Sequence, residues 1–72
     1  MHQVPHTFPA RLQYLRERKG LSRRMLSELC GLSKNMIMRY ERGESDPTLA
    51  SLVALADFFG TTISYLCCDE KN

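Results

Sequence analysis

The chain has 72 residues, of which 43% are apolar and ten Lys and Arg stand against eight Asp and Glu, with three Pro, four Gly and no Trp. A domain of this size buries only about 60% of the surface its unfolded chain exposes, so it has room for one thin core, and the abundance of Leu, Met, Arg and Glu favours helices over strands. No apolar run approaches the roughly 18 residues a membrane span needs, and no basic segment followed by an apolar stretch opens the chain; a cytoplasmic protein without a membrane partner is expected.

Residues 1–7 show no period and contain Pro5, which reads as a flexible arm ending at a helix N-cap, Thr7. Pro9 suits the first turn that follows. Phe8, Leu12 and Leu15 then recur at helical spacing up to Gly20, with Arg16, Arg18 and Lys19 in the last turn, which predicts a first helix over about 8–19. Ser22 caps a short second helix carrying Leu26 and Cys30, and Gly31 ends it. Ser33 caps a third over about 34–42, with Ile37, Tyr40 and Glu41 on one side and Lys34, Asn35, Met38, Arg39 and Arg42 on the other, stopped by Gly43. Beyond the polar loop Glu44–Pro47, Thr48 caps the apolar series Leu49, Leu52, Leu55, Ala56 and Phe59, closed by Gly60. Thr61 or Thr62 opens a last short helix with Ile63 and Leu66, and residues 68–72 form a polar tail. The expected fold is all-α, a five-helix bundle over residues 8–67.

Charge is distributed unevenly along these elements. Residues 11–43 hold nine of the ten Lys and Arg against Glu17, Glu28 and Glu41, a balance of +6, whereas residues 44–72 balance to −4. Such asymmetry suits a polyanion on one side only. Two short helices joined by a Gly-containing turn form a helix-turn-helix, whose second helix enters the DNA major groove. Lys34 and Arg39 suit guanine O6 and N7, Asn35 suits adenine N6 and N7, and Met38 suits a thymine methyl or, equally, an apolar neighbour. Arg23 and Arg24, in the first turn of the second helix, are placed for phosphates, as are Arg42 and the amides around Gly43. Ser22, Ser33 and Tyr40 complete the phosphate-contacting set, although the period turns Tyr40 inward and leaves only its hydroxyl for the edge.

The run Leu21-Ser22-Arg23-Arg24-Met25-Leu26-Ser27-Glu28-Leu29-Cys30-Gly31-Leu32-Ser33, with Ile37-Met38-Arg39-Tyr40-Glu41-Arg42-Gly43, resembles the phage repressor and Cro family of helix-turn-helix proteins. Pro47-Thr48-Leu49 with Leu52, Leu55, Ala56 and Phe59, and Thr62-Ile63-Ser64-Tyr65-Leu66, extend the resemblance to residues 8–67. The resemblance implies a lambda-repressor-like domain that binds near-palindromic double-stranded operators as a dimer, commonly represses transcription, and reads bases with Lys34, Asn35, Met38 and Arg39. It also implies an ion pair between Arg16 and Glu41. The chain departs from the family pattern at Arg23, where Gln is usual, at Ser27, where Ala is usual, and at Cys30, usually aliphatic.

Ile63, Tyr65 and Leu66, with Phe59, exceed what so small a core needs, which points to a homodimer through the last helix. Other readings of the chain are an antitoxin and a protein-interaction module that has lost DNA binding; the cations of the third segment argue against the latter. His2, His6, Cys67 and Cys68 lack a paired C-x-x-C spacing, so no metal is expected. No nucleophile, base and orienting group stand at a recognisable spacing, so neither catalysis nor a cofactor is expected, and no small-molecule ligand is evident. Three cysteines with an adjacent pair argue against a disulfide framework, and Cys30 reads as a buried thiol.

Overall fold

The computed structural model describes residues 4–68, and these contain five helices in the order α1 (Phe8–Arg18), α2 (Arg23–Leu29), α3 (Met36–Glu41), α4 (Leu49–Phe59) and α5 (Ile63–Leu66). Residues 1–3 of the expected arm and 69–72 of the expected tail lie outside the described residues.

Four of the five starts are set by one local device. Thr7, Ser22, Thr48 and Thr62 hold extended backbone, and each side-chain oxygen accepts the N–H three residues on, from Ala10, Met25, Ser51 and Tyr65. Each bond satisfies one of the N–H groups a helix start leaves unpaired. The third helix starts differently. Ser33 does not cap it: the Ser33 carbonyl accepts from Met36 N at 3.0 Å in a turn, and Asn35 takes the N-cap position without a side-chain bond. Lys34 and Asn35 therefore precede α3 instead of opening it as expected. A hydroxyl caps only where it meets a free amide of the first turn, and α3 begins three residues after Ser33, with Asn35 at the cap position.

The turn itself closes by backbone bonds. Gly31 N donates to the Glu28 carbonyl at 3.1 Å and Leu32 N to the Ser27 carbonyl at 2.8 Å, the paired bonds of a Schellman motif. That closure needs a left-handed residue, and Gly31 has φ +70°. Nothing lies within 4 Å of a Cβ placed there, so glycine is required by backbone conformation and not by space.

Each helix sends a fully buried side chain to the core: Leu12, Leu26, Ile37, Leu55 and Leu66 are all 0% exposed. Tyr40 joins them, and Phe8 meets its ring edge-on at 5.8 Å. Beneath α3, buried Ser27 Oγ accepts from Ile37 N at 3.3 Å, fastening α2 to α3 where the usual Ala has no acceptor. Two expectations for the apolar residues are corrected here. Leu49 is 69% exposed and does not belong to the core series: its spacing from Leu52 and Ala56 puts it on their side of α4, but it is the first residue of the helix, at the end of that apolar stripe. Leu66 is entirely buried, so none of its surface is left for a subunit interface.

Candidate nucleic-acid interface

The third helix packs against both α1 and α2, and Ile37 and Tyr40 are the residues it buries. With a period of 3.6, fixing these two inward turns Arg39 and Arg42 out to solvent and leaves Met38 half-buried at the margin. Lys34 and Asn35, in the turn ahead of the helix, are exposed. The side chains of Lys34, Asn35 and Arg39 engage no other described residue. Arg24 and Arg42 are paired only loosely, to Glu28 at 3.7 Å and Glu44 at 3.9 Å, with all four side chains at least half exposed. Exposed pairs of this kind contribute little and exchange readily. Ser22, Ser33 and Gly43 are also exposed, although the Ser22 oxygen already accepts from Met25 N at 3.0 Å.

Tyr40 leaves the phosphate-contacting set. Its ring is 2% exposed, and its hydroxyl donates to Ser51 Oγ at 2.9 Å, an oxygen that also accepts from Thr48 Oγ1 at 3.1 Å. The hydroxyl that was to reach the edge instead ties α3 to the cap of α4.

The positive balance is also reapportioned. Arg11 and Arg16 are buried, so the charge of residues 11–43 reaches solvent through Arg18, Lys19, Arg23, Arg24, Lys34, Arg39 and Arg42. Arg11 stacks over Tyr65 with its guanidinium carbon 4.3 Å from the ring centroid, donates to the Pro5 carbonyl through Nε and bonds the Tyr65 carbonyl, joining the first described residues, α1 and α5. Arg16 meets Glu41 in a two-pronged pair, Nε to Oε2 at 2.6 Å and Nη2 to Oε1 at 3.1 Å, with Nη1 on the Leu21 carbonyl at 2.7 Å. The hydrogen bond to Glu41 raises the Arg16 pKa further above its ordinary value, overcoming the opposite pull of burial. This arginine is charged at every accessible pH.

A helix-turn-helix family model matches residues 12–66. The chain belongs to the phage repressor and Cro family of helix-turn-helix proteins. This helix-turn-helix chain is 39% identical over 62 residues to the HTH-type transcriptional regulator AnsR of Bacillus subtilis, covering 86% of the chain and 53% of AnsR. It is 30% identical to the cryptic phage CTXphi transcriptional repressor RstR of Vibrio cholerae, covering 90% of the chain and 59% of RstR. The chain thus spans about half the length of the curated relatives it matches. Among solved structures, the controller protein C.AhdI of a restriction-modification system from Aeromonas hydrophila superposes with a TM-score of 0.75 at 34% identity, covering 82% of the chain and 89% of C.AhdI. The P22 c2 repressor, solved in complex with a synthetic operator, superposes with a TM-score of 0.81, covering 88% of the chain and 96% of the repressor; at 24% identity this match speaks for the fold.

Two functional features of this helix-turn-helix domain escaped the sequence. Arg23 is tied through Nε to Glu41 Oε1 at 3.1 Å, joining the Arg16 pair into a triad. Eighteen residues separate Arg23 from Glu41, and no periodic signal links them. Arg11 entered the sequence reading only as one charge in the balance of residues 11–43, and its burial depends on where α5 returns. At the expected dimer face, Phe59, Ile63 and Tyr65 are partly buried: Phe59 and Ile63 pack on the core, and Tyr65 carries Arg11.

Proposed function

We propose that this chain is a sequence-specific double-stranded DNA-binding transcriptional regulator acting as a repressor, with α3 and the turn before it in the major groove. The observation that carries the reading is the exposure of Lys34, Asn35 and Arg39 around half-buried Met38, the three polar side chains having no hydrogen bond or ion pair to described residues and standing in the same helix-turn-helix as the exposed cations Arg24 and Arg42. Those four read base edges. Arg24 and Arg42, with Ser22 and Ser33, take phosphates and set the register; the amides around Gly43 drop out of that set, because Gly43 N already donates to the Tyr40 carbonyl at 3.1 Å and Glu44 N to the Arg39 carbonyl at 2.9 Å. The role is non-catalytic and cytoplasmic. No helix among the described residues is long and apolar enough to cross a membrane.

A homodimer on a near-palindromic operator follows from family resemblance and from the remaining surface of Phe59, Ile63 and Tyr65 around α5; buried Leu66 drops out of that interface. Two-fold symmetry then sets the paired recognition helices about 34 Å apart, one turn of DNA.

Selection of bound sequences from a random DNA pool at physiological salt tests the proposal. A palindromic motif is expected, and Arg39→Ala loses roughly 1–3 kcal/mol at one base position if its contact is bidentate. Salt-sensitive binding with no enriched motif overturns the reading.

A further inference from the structure

The third helix is held at its start from the neighbouring helix. With 6 residues, Met36–Glu41, it is too short to stand on its own bonds, and Asn35 at its N-cap makes no side-chain cap bond. Asn is among the residue types that cap best, but the Asn35 backbone, with φ −103° and ψ 6°, is not the extended one that turns a side chain back onto the first amides. An amide that such a cap would take, Ile37 N, donates instead to Ser27 Oγ of α2 at 3.3 Å. Ser27 and Ile37 are both 0% exposed, so water does not replace that bond. The Ser27 carbonyl meanwhile accepts from Leu32 N at 2.8 Å. One residue of α2 therefore holds both the beginning of the turn and the beginning of the helix that follows it. The Asn35 side chain, exposed and without a hydrogen bond to described residues, keeps its whole amide group for a partner outside the chain.

Resting on the DNA-binding reading above, we propose that Ser27 is a positioning residue that caps α3 from α2 and so keeps the Asn35 amide free for the N6 and N7 of an adenine. In Ser27→Ala, Ile37 N loses its acceptor, and a buried N–H without a partner is costly enough to draw the Asn35 oxygen onto the cap. An amide spent there is lost to the base.

The test is a double-mutant cycle on base preference. The wild-type chain, Asn35→Ala, Ser27→Ala and the double variant are each put through selection from a random pool, followed by competition between sites that differ only at the position where Asn35→Ala relaxes the motif. Ala is smaller than Ser and a better helix former, so the fold is kept, and a thermal melt by circular dichroism checks this. The wild type is expected to prefer adenine at that position by roughly 5- to 150-fold. Ser27→Ala lowers the preference by roughly 2- to 13-fold, the worth of one hydrogen bond, and adds nothing further in the Asn35→Ala background. Ratios between sites cancel any uniform loss of affinity. An adenine preference that Ser27→Ala leaves intact, that falls equally at every position of the motif, or that falls by the same factor with and without Asn35 makes Ser27 a purely structural contact and overturns this inference alone. A motif that Asn35→Ala does not relax overturns it as well. Absence of any motif in the wild type overturns the DNA-binding reading together with it.

Discussion

Replacing Glu41 by Ala tests whether the arginine–carboxylate triad holds the helices together. Arg16 would keep only the Leu21 carbonyl and a distant contact to Glu17 at 3.9 Å, whose side chain is 59% exposed. The guanidinium remains charged and buried, so most of its desolvation cost goes uncompensated. Breaking a buried pair in this way costs about 3–5 kcal/mol. A 72-residue domain is stable by on the order of 4–11 kcal/mol in all, and the loss corresponds to a fall in Tm of roughly 12–40 °C. The triad adds an ordering. Arg16→Met leaves Glu41 paired with Arg23 at 3.1 Å and destabilises less than Glu41→Ala. Arg23→Ala removes a half-exposed partner and, after allowance for solvent screening, costs less than about 1 kcal/mol. Urea denaturation followed by circular dichroism measures all three variants. A loss for Glu41→Ala in the range of a surface pair, or a larger loss for Arg16→Met than for Glu41→Ala, would refute the reasoning.

Tyr40→Phe removes a buried hydroxyl while Ser51 Oγ keeps its bond from Thr48. Denaturation should show a loss of about 0.5–1.5 kcal/mol, while the salt slope of DNA binding stays unchanged; a slope reduced by about 1 would return Tyr40 to the phosphate contacts. Leu66→Ala is expected to cost about 2–5 kcal/mol and Leu49→Ala to stay within about 0.5 kcal/mol, and equal melting temperatures for the two would contradict the burial described here. Burial raises the Cys30 thiol pKa, so above the unfolded value of about 8.5 the unfolded chain ionises first and stability declines as pH rises. Cys30→Val should flatten that decline relative to wild type, and parallel pH profiles of the two proteins would show that the thiol is not its source.

Local signals in this chain were strong where a single residue type answers a single backbone need. Thr7, Ser22, Thr48 and Thr62 announce helix starts because a short hydroxyl can accept a free amide nearby, and Gly31 and Gly60 announce stops because a left-handed closure disfavours a side chain. Ser33 shows the limit of that reasoning. The residue type suits a cap, but the helix starts three residues later, after a turn closed on the Ser33 carbonyl. The outward cations of the third helix were legible for a related reason: Ile37 and Tyr40 must face the core, so Arg39 and Arg42 cannot.

The sequence by itself determined the number and order of the helices, the positions of the turn glycines and which edge of the third helix faces outward, since each follows from contacts within a few residues. The tertiary structure decided which cations are buried, that Tyr40 spends its hydroxyl on Ser51, that Leu66 belongs to the core and that Glu41 holds Arg23 as well as Arg16. These partners lie 11 to 54 residues apart. Their meeting depends on how the helices pack, and no periodicity along one element can encode it.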